Sequence, residues 1–202
     1  MLVRVLLFVS LAAIPYLSFL YSTRFSRDES SWRYSIAGTL GYSALSAVFI
    51  ASIELPWRPL MARPSVSPVL TGTGIGVCYF VFEIKRTGSR LAQGFSKDRW
   101  QSVVAYVTVA LAEEIAYRLL PLLVGRSTPI SLAASVFTAT LLYGTSHIAF
   151  GIPTALSRVA FGAVLIGTTL VSGTIWAAIT GHSLYNGAVA LRSTTERRTI
   201  WQ

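Results

Sequence analysis

Seven apolar stretches, each long enough to cross a bilayer, account for most of this 202-residue chain. A spanning helix needs about 20 mostly apolar residues, and the runs at roughly 3–21, 34–53, 67–84, 102–124, 129–150, 154–172 and 174–192 meet that rule. The stretches at 3–21 and 67–84 are the shortest or most interrupted, by Pro15 and by glycine-rich sequence. Composition points the same way: 53% of residues are hydrophobic and 12% charged, against about 25% charged in soluble domains. The predicted fold is an all-α polytopic transmembrane helical bundle of about seven spans, a single integral membrane domain over 1–202 with a short tail at 193–202.

The net charge of +9 is spread between the apolar runs and forms no block of the kind that binds nucleic acid. In a membrane protein such charge marks cytoplasmic loops. Arg24, Arg27, Arg33, Lys85, Arg86, Arg90, Lys97, Arg99, Arg192, Arg197 and Arg198 fall on one side, and Arg4, Arg58, Arg63 and Arg126 on the other. The imbalance places the C-terminus in the cytoplasm and, with seven spans, the N-terminus outside, in a multi-pass protein of the cell membrane. Arg158 falls within a span, near enough to its cytoplasmic end to snorkel. The first stretch continues through Tyr16 to Tyr21 without a small-x-small cleavage site, which favours a retained helix over a signal peptide. Gly38, Gly41, Gly72, Gly74 and Gly76 fit close helix packing in a bilayer. The single cysteine, Cys78, can form no intrachain disulfide and reads as a small buried packing residue.

Against this background, Glu113 and Glu114 stand side by side in VAYVTVALAEEIAYRLLPLL, with Arg118 one turn later. An acidic group costs about 2.5–3.5 kcal/mol on membrane-insertion scales, so an intramembrane carboxylate is first a functional candidate. On a helix at 100° per residue, Glu114 and Arg118 lie about 40° apart and Glu113 and Arg118 about 140°. An i,i+4 ion pair therefore joins Glu114 to Arg118 as a support, leaving Glu113 as the better reactive carboxylate.

The only two histidines, His147 and His182, also lie in apolar stretches. Asn186 follows His182 by four residues, so the two face the same way, and Tyr143 precedes His147 by one turn, between packing and lining the site. A lone histidine in an apolar helix is often satisfied by a neighbour's backbone. Two histidines with two carboxylates and an asparagine have few other partners available, and buried polar groups need them. Depth is a partial check: Glu113, His182 and Asn186 come out about 17, 15 and 9 Å from the cytoplasmic ends of their spans. His147 comes out near 5 Å, which requires tilt, a deeper helix end or water entering from the cytoplasm.

Two chemistries suit such a set. A carboxylate and a histidine can deprotonate water for attack on a peptide carbonyl, while a second histidine and an asparagine stabilise the oxyanion. Alternatively Glu113, His147 and His182 could hold a catalytic divalent metal such as zinc, although the histidines are far apart in sequence and no H-E-x-x-H motif is present.

E-E-x-x-x-R at 113–118, aromatic-x-x-x-His at 143–147 and H-x-x-x-N at 182–186, in that order on three apolar helices, resemble the CPBP family, the CAAX prenyl proteases and bacteriocin-processing enzymes also called the Abi family. The resemblance covers about 101–192, the family's catalytic core, and leaves 1–100 as N-terminal transmembrane helices. It implies an intramembrane endopeptidase, acting on a peptide or prenylated peptide, in which Glu113 and His147 activate water and His182 and Asn186 form the oxyanion hole. Glu114 and Arg118 would support the site, with no cofactor or with a divalent metal. Two other classes compete: a proton- or ion-coupled transporter, against which stands the lack of repeated halves with broken helices, and a non-catalytic membrane immunity or scaffold protein.

Overall fold

The computed structural model describes Leu60 and residues 64–87, 97–127 and 131–191. All regular structure among them is helical. Helix α1 runs Val66–Thr87 and α2 runs Lys97–Glu114; a π turn at Ile115–Leu119 carries the chain into α3, Leu120–Ser127. Helix α4 is Leu132–Thr145, a 3-10 turn follows at Ile148–Phe150, and α5 (Ile152–Ser172) and α6 (Trp176–Ala190) complete the set. The stretches expected at 3–21 and 34–53 and the tail at 193–202 lie outside the described residues.

Two helices are long and apolar enough to cross a membrane, within Val66–Arg86 and Ile152–Ser172. Each exposes large apolar side chains, among them Val77 and Phe82 on α1 and Leu156 and Val171 on α5. The stretch expected to span 129–150 is instead a 14-residue helix followed by a turn. At 1.5 Å per residue α4 is about 21 Å long and α6 about 22 Å, short of a hydrocarbon core of about 30 Å.

Side-chain chemistry sets these boundaries. Ser131 has extended backbone angles and accepts a hydrogen bond from the Ala134 amide at 3.1 Å, an N-cap for α4. The same helix stops at Thr145 because Ser146 Oγ turns back to donate to the Tyr143 carbonyl at 2.7 Å. Gly151, at φ 97°, then redirects the chain into α5, which has Pro153 in its first turn. Pro121 accounts for the π turn: it has no N–H for the Tyr117 carbonyl, and its ring would crowd that oxygen in a regular helix. Leu120 reaches back to the Ile115 carbonyl instead, the five-residue step of a π turn.

Helix α6 packs against both α1 and α2, while α4 lies against α3 and α5. Glycines permit the first of these crossings. A Cβ on Gly76 would stand 2.5 Å from the Gly181 carbonyl, and one on Gly72 would collide with that of Ala177. Gly74, read from sequence as a packing glycine, faces open space, since it projects from the opposite side of α1, and Cys78, expected to be buried, is exposed one turn later on that same side. The core under the crossings contains Tyr117, Leu120, Leu123, Phe161, Leu165 and Tyr185.

Candidate active site

Glu113 and Glu114 are the last two residues of α2, immediately before the π turn, and His182 comes from the middle of α6. The α2–α6 packing brings them together. Glu114 is completely buried; its Oε1 lies 2.6 Å from His182 Nδ1 and 3.3 Å from Arg118 Nη1. The expected i,i+4 ion pair thus forms, and the same oxygen also accepts from a second helix. Arg118 is equally buried, its guanidinium 4.1 Å above the centre of the Tyr143 ring. Gly162 makes this possible, because a Cβ there would press on the Tyr143 ring at 2.9 Å and on Arg118 at 3.3 Å.

Glu113 has no partner within its own helix; its Oε2 faces the other ring nitrogen of His182, Nε2, at 3.3 Å. The imidazole is therefore bracketed by two carboxylates. Glu113 differs from Glu114 in one respect that matters for chemistry: 16% of its side chain is exposed, against none of its neighbour's. Tyr143 Oη also approaches His182 Nε2 at 3.3 Å, and Phe161 lies edge-on to the imidazole at 5.6 Å.

His147 is placed otherwise than the sequence implied, two residues beyond α4 and just before the 3-10 turn. Its Nδ1 is 2.9 Å from the Tyr143 carbonyl and 3.0 Å from Ser146 Oγ. A carbonyl oxygen has no hydrogen to give, so Nδ1 carries the N–H of the neutral ring and Nε2 keeps a lone pair. Its ring meets that of Tyr143 edge-on at 5.1 Å, and Tyr143 in turn meets His182 at 5.7 Å. Tyr143 thus joins the two histidines, a lining role that sequence left undecided. Asn186 faces α2 like His182, but its Nδ2 donates to the Tyr106 carbonyl at 3.1 Å, farther from the glutamates.

The direct contact of Glu113 is therefore with His182; the grouping of Glu113 with His147 and of His182 with Asn186 is one of role, implied by the resemblance, and not of contact. Among the described residues, no three His, Cys, Asp or Glu side chains converge in a way that could hold a metal ion.

Beside this cluster lies a second polar group that sequence analysis missed. Ser157 Oγ donates to Glu83 at 2.7 Å, Tyr79 Oη lies 2.6 Å from Ser157 Oγ, and Arg86 pairs with Glu83 at 2.8 Å. Arg158 does not snorkel: its Nη2 donates inward to Tyr185 Oη at 2.7 Å. The one sequence signal for this group was a charge at 158 inside an apolar run.

Residues 95–188 match the model of a family described as type II CAAX prenyl endopeptidase, Rce1-like. The matched segment contains Glu113, Glu114, Arg118, His147, His182 and Asn186. Over this segment, a little under half of its length, the chain is similar to the Rce1-like family. Rce1-like proteins are membrane-embedded proteases, in accord with the two membrane-length helices. Comparisons with curated proteins and with solved structures gave no significant match.

Proposed function

We propose that this Rce1-like chain is an intramembrane endopeptidase that hydrolyses a peptide bond with a water activated at Glu113. The observation that carries the reading is the setting of Glu113: a partly exposed carboxylate, 3.3 Å from an imidazole whose other nitrogen is tied to a buried Glu114. That tie fixes the ring through the Glu114–Arg118 pair, so His182 can hold one Glu113 oxygen while the other faces water.

In this scheme Glu113 takes a proton from water as the water oxygen bonds to the scissile carbonyl carbon. His147 directs its Nε2 lone pair at the same water and steadies it. The developing oxyanion receives a hydrogen bond from His182 Nε2–H, released from Glu113 as that carboxylate takes up the proton, supplemented by the amide hydrogen of Asn186 not directed at Tyr106. As the carbon–nitrogen bond breaks, Glu113 returns its proton to the leaving amine. Glu114 and Arg118 never touch substrate and act as positioning residues. The cut falls near the cytoplasmic face of the cell membrane, with the C-terminus on that side.

A peptide ending in a prenylated CAAX sequence and an unmodified leader-type peptide are the two substrate classes to compare. Purified protein in detergent is incubated with each, with and without chelator, and the products are read by mass spectrometry. Cleavage of one or both that persists with chelator is expected. No cleavage of either by folded protein would count against the peptidase reading, and loss with chelator would replace its metal-free mechanism.

A further inference from the structure

Two arginines point into this part of the molecule, Arg118 buried and Arg158 half-buried, and only one is paired with a carboxylate among the described residues. Arg118 has Glu114; Arg158, on α5, has none within ion-pair distance. Its Nη2 is engaged by Tyr185, while its Nε and Nη1 are buried with no hydrogen-bond partner. The guanidinium carbon lies 4.5 Å from the Tyr185 ring centre and 5.7 Å from that of Tyr79, aromatic faces that partly compensate a desolvated cation. Glu83 is held by Arg86 and Ser157 and acts on Arg158 only electrostatically, from beyond ion-pair distance. Two buried guanidinium nitrogens without partners are costly, and an ionisable group within a membrane helix is first a functional candidate.

The location is specific. Tyr185 precedes Asn186 on α6 and packs at 5.4 Å on Phe161, which itself lies edge-on to His182 at 5.6 Å. Arg158 is also near enough to act electrostatically on Glu113, Tyr143 and His147. A substrate stretched across Glu113 therefore passes close to this cation. The donors have a single positive charge and the neighbours Tyr79 and Tyr185 are neutral phenols, which suits a monoanion better than a phosphate dianion.

We propose that Arg158 is a substrate-binding residue that receives a carboxylate of the peptide, from its C-terminus or from an acidic side chain beyond the scissile bond. This rests on the peptidase reading for the identity of the ligand. The test uses full-length Glu113→Gln protein, which holds substrate uncut, and three fluorescent peptides of one sequence: a free C-terminal acid lacking Asp and Glu, its C-terminal amide, and the amide with one Glu near the end. Expected is binding of the acid, or of the Glu-containing amide, at least tenfold tighter than the plain amide. The stronger of the two identifies the source of the carboxylate. Adding Arg158→Gln should bring all three to the plain-amide level; Arg158→Met serves if that protein does not fold. Equal binding of the three peptides, a preference that survives loss of Arg158, or no binding at all overturns the proposal. Cleavage by the wild-type protein separates the two readings: peptides cut without preference leave the peptidase standing alone, whereas an Arg158-dependent preference with no cleavage leaves only the carboxylate site.

Discussion

Oε1 of Glu114 lies 2.6 Å from Nδ1 of His182, so a carboxylate that looks from its own helix like a partner for Arg118 also fixes an imidazole on another. The anion neutralises one cation, orients one ring and ties α2 to α6. Everything proposed for Glu113 depends on that ring being held still.

Replacing Glu114 by Gln should therefore destabilise the protein by about 3–5 kcal/mol, because it leaves Arg118 as an uncompensated buried charge. The double variant Glu114→Gln, Arg118→Met should recover part of that loss while remaining inactive, since His182 no longer faces a carboxylate at Nδ1. Denaturant unfolding in detergent, run beside a cleavage assay, measures both. A single variant as stable as wild type would show that the pair contributes nothing to the fold.

How much of this was legible in sequence differs residue by residue. The Glu114–Arg118 pair followed from i,i+4 spacing because both ends sit on one helix, even though a π turn intervenes. The Glu113–His182 contact did not, because a helical wheel says nothing about which turn of a second helix comes opposite. The early end of α4 was hidden for a different reason: the residues from Leu132 to Phe150 are nearly all apolar or small, and periodicity cannot register Ser146 and His147 turning back to the Tyr143 carbonyl. Arg158 looked able to snorkel because it lies near the cytoplasmic end of its span; Tyr79 and Tyr185, from α1 and α6, hold it inward. Pro121 was visible, but its effect on the turn before it depends on how α2 and α3 continue through the core.

Glu113→Gln and His147→Ala should each lower peptide cleavage by at least about 100-fold, the lower range for a positioned general base. Neither side chain is fully buried, so both variants should keep wild-type circular dichroism and unfolding temperature. Wild-type turnover in both variants would dispose of the water-activation scheme.

Tyr143→Phe keeps the ring that lies beneath Arg118 and beside both histidines and removes only the hydroxyl facing His182 Nε2. A single hydrogen bond contributes about 0.5–1.5 kcal/mol, so stability should fall by no more than that. If the hydroxyl helps orient His182 for reaction, kcat should drop by up to about tenfold with KM little changed. Unchanged kinetics would assign the hydroxyl to packing alone.

The α1–α6 crossing offers a test of how far the site depends on helix approach. A Cβ at Gly76 would stand 2.5 Å from the Gly181 carbonyl, and one at Gly181 would stand 2.8 Å from the Gly72 carbonyl. These are backbone atoms and cannot swing aside, so Gly76→Ala must separate the helices at a cost of about 1–3 kcal/mol. Because α6 carries His182 and Asn186, the same displacement should move both against α2 and reduce cleavage in protein that remains folded. Gly74→Ala is the matched control: its new methyl meets open space, and alanine is favoured over glycine within a helix by about 1 kcal/mol. Gly74→Ala should be at least as stable as wild type and fully active, while Gly76→Ala should unfold at lower temperature and cut more slowly. Equal behaviour of the two variants in both measurements would mean that the glycine crossing does not position the site.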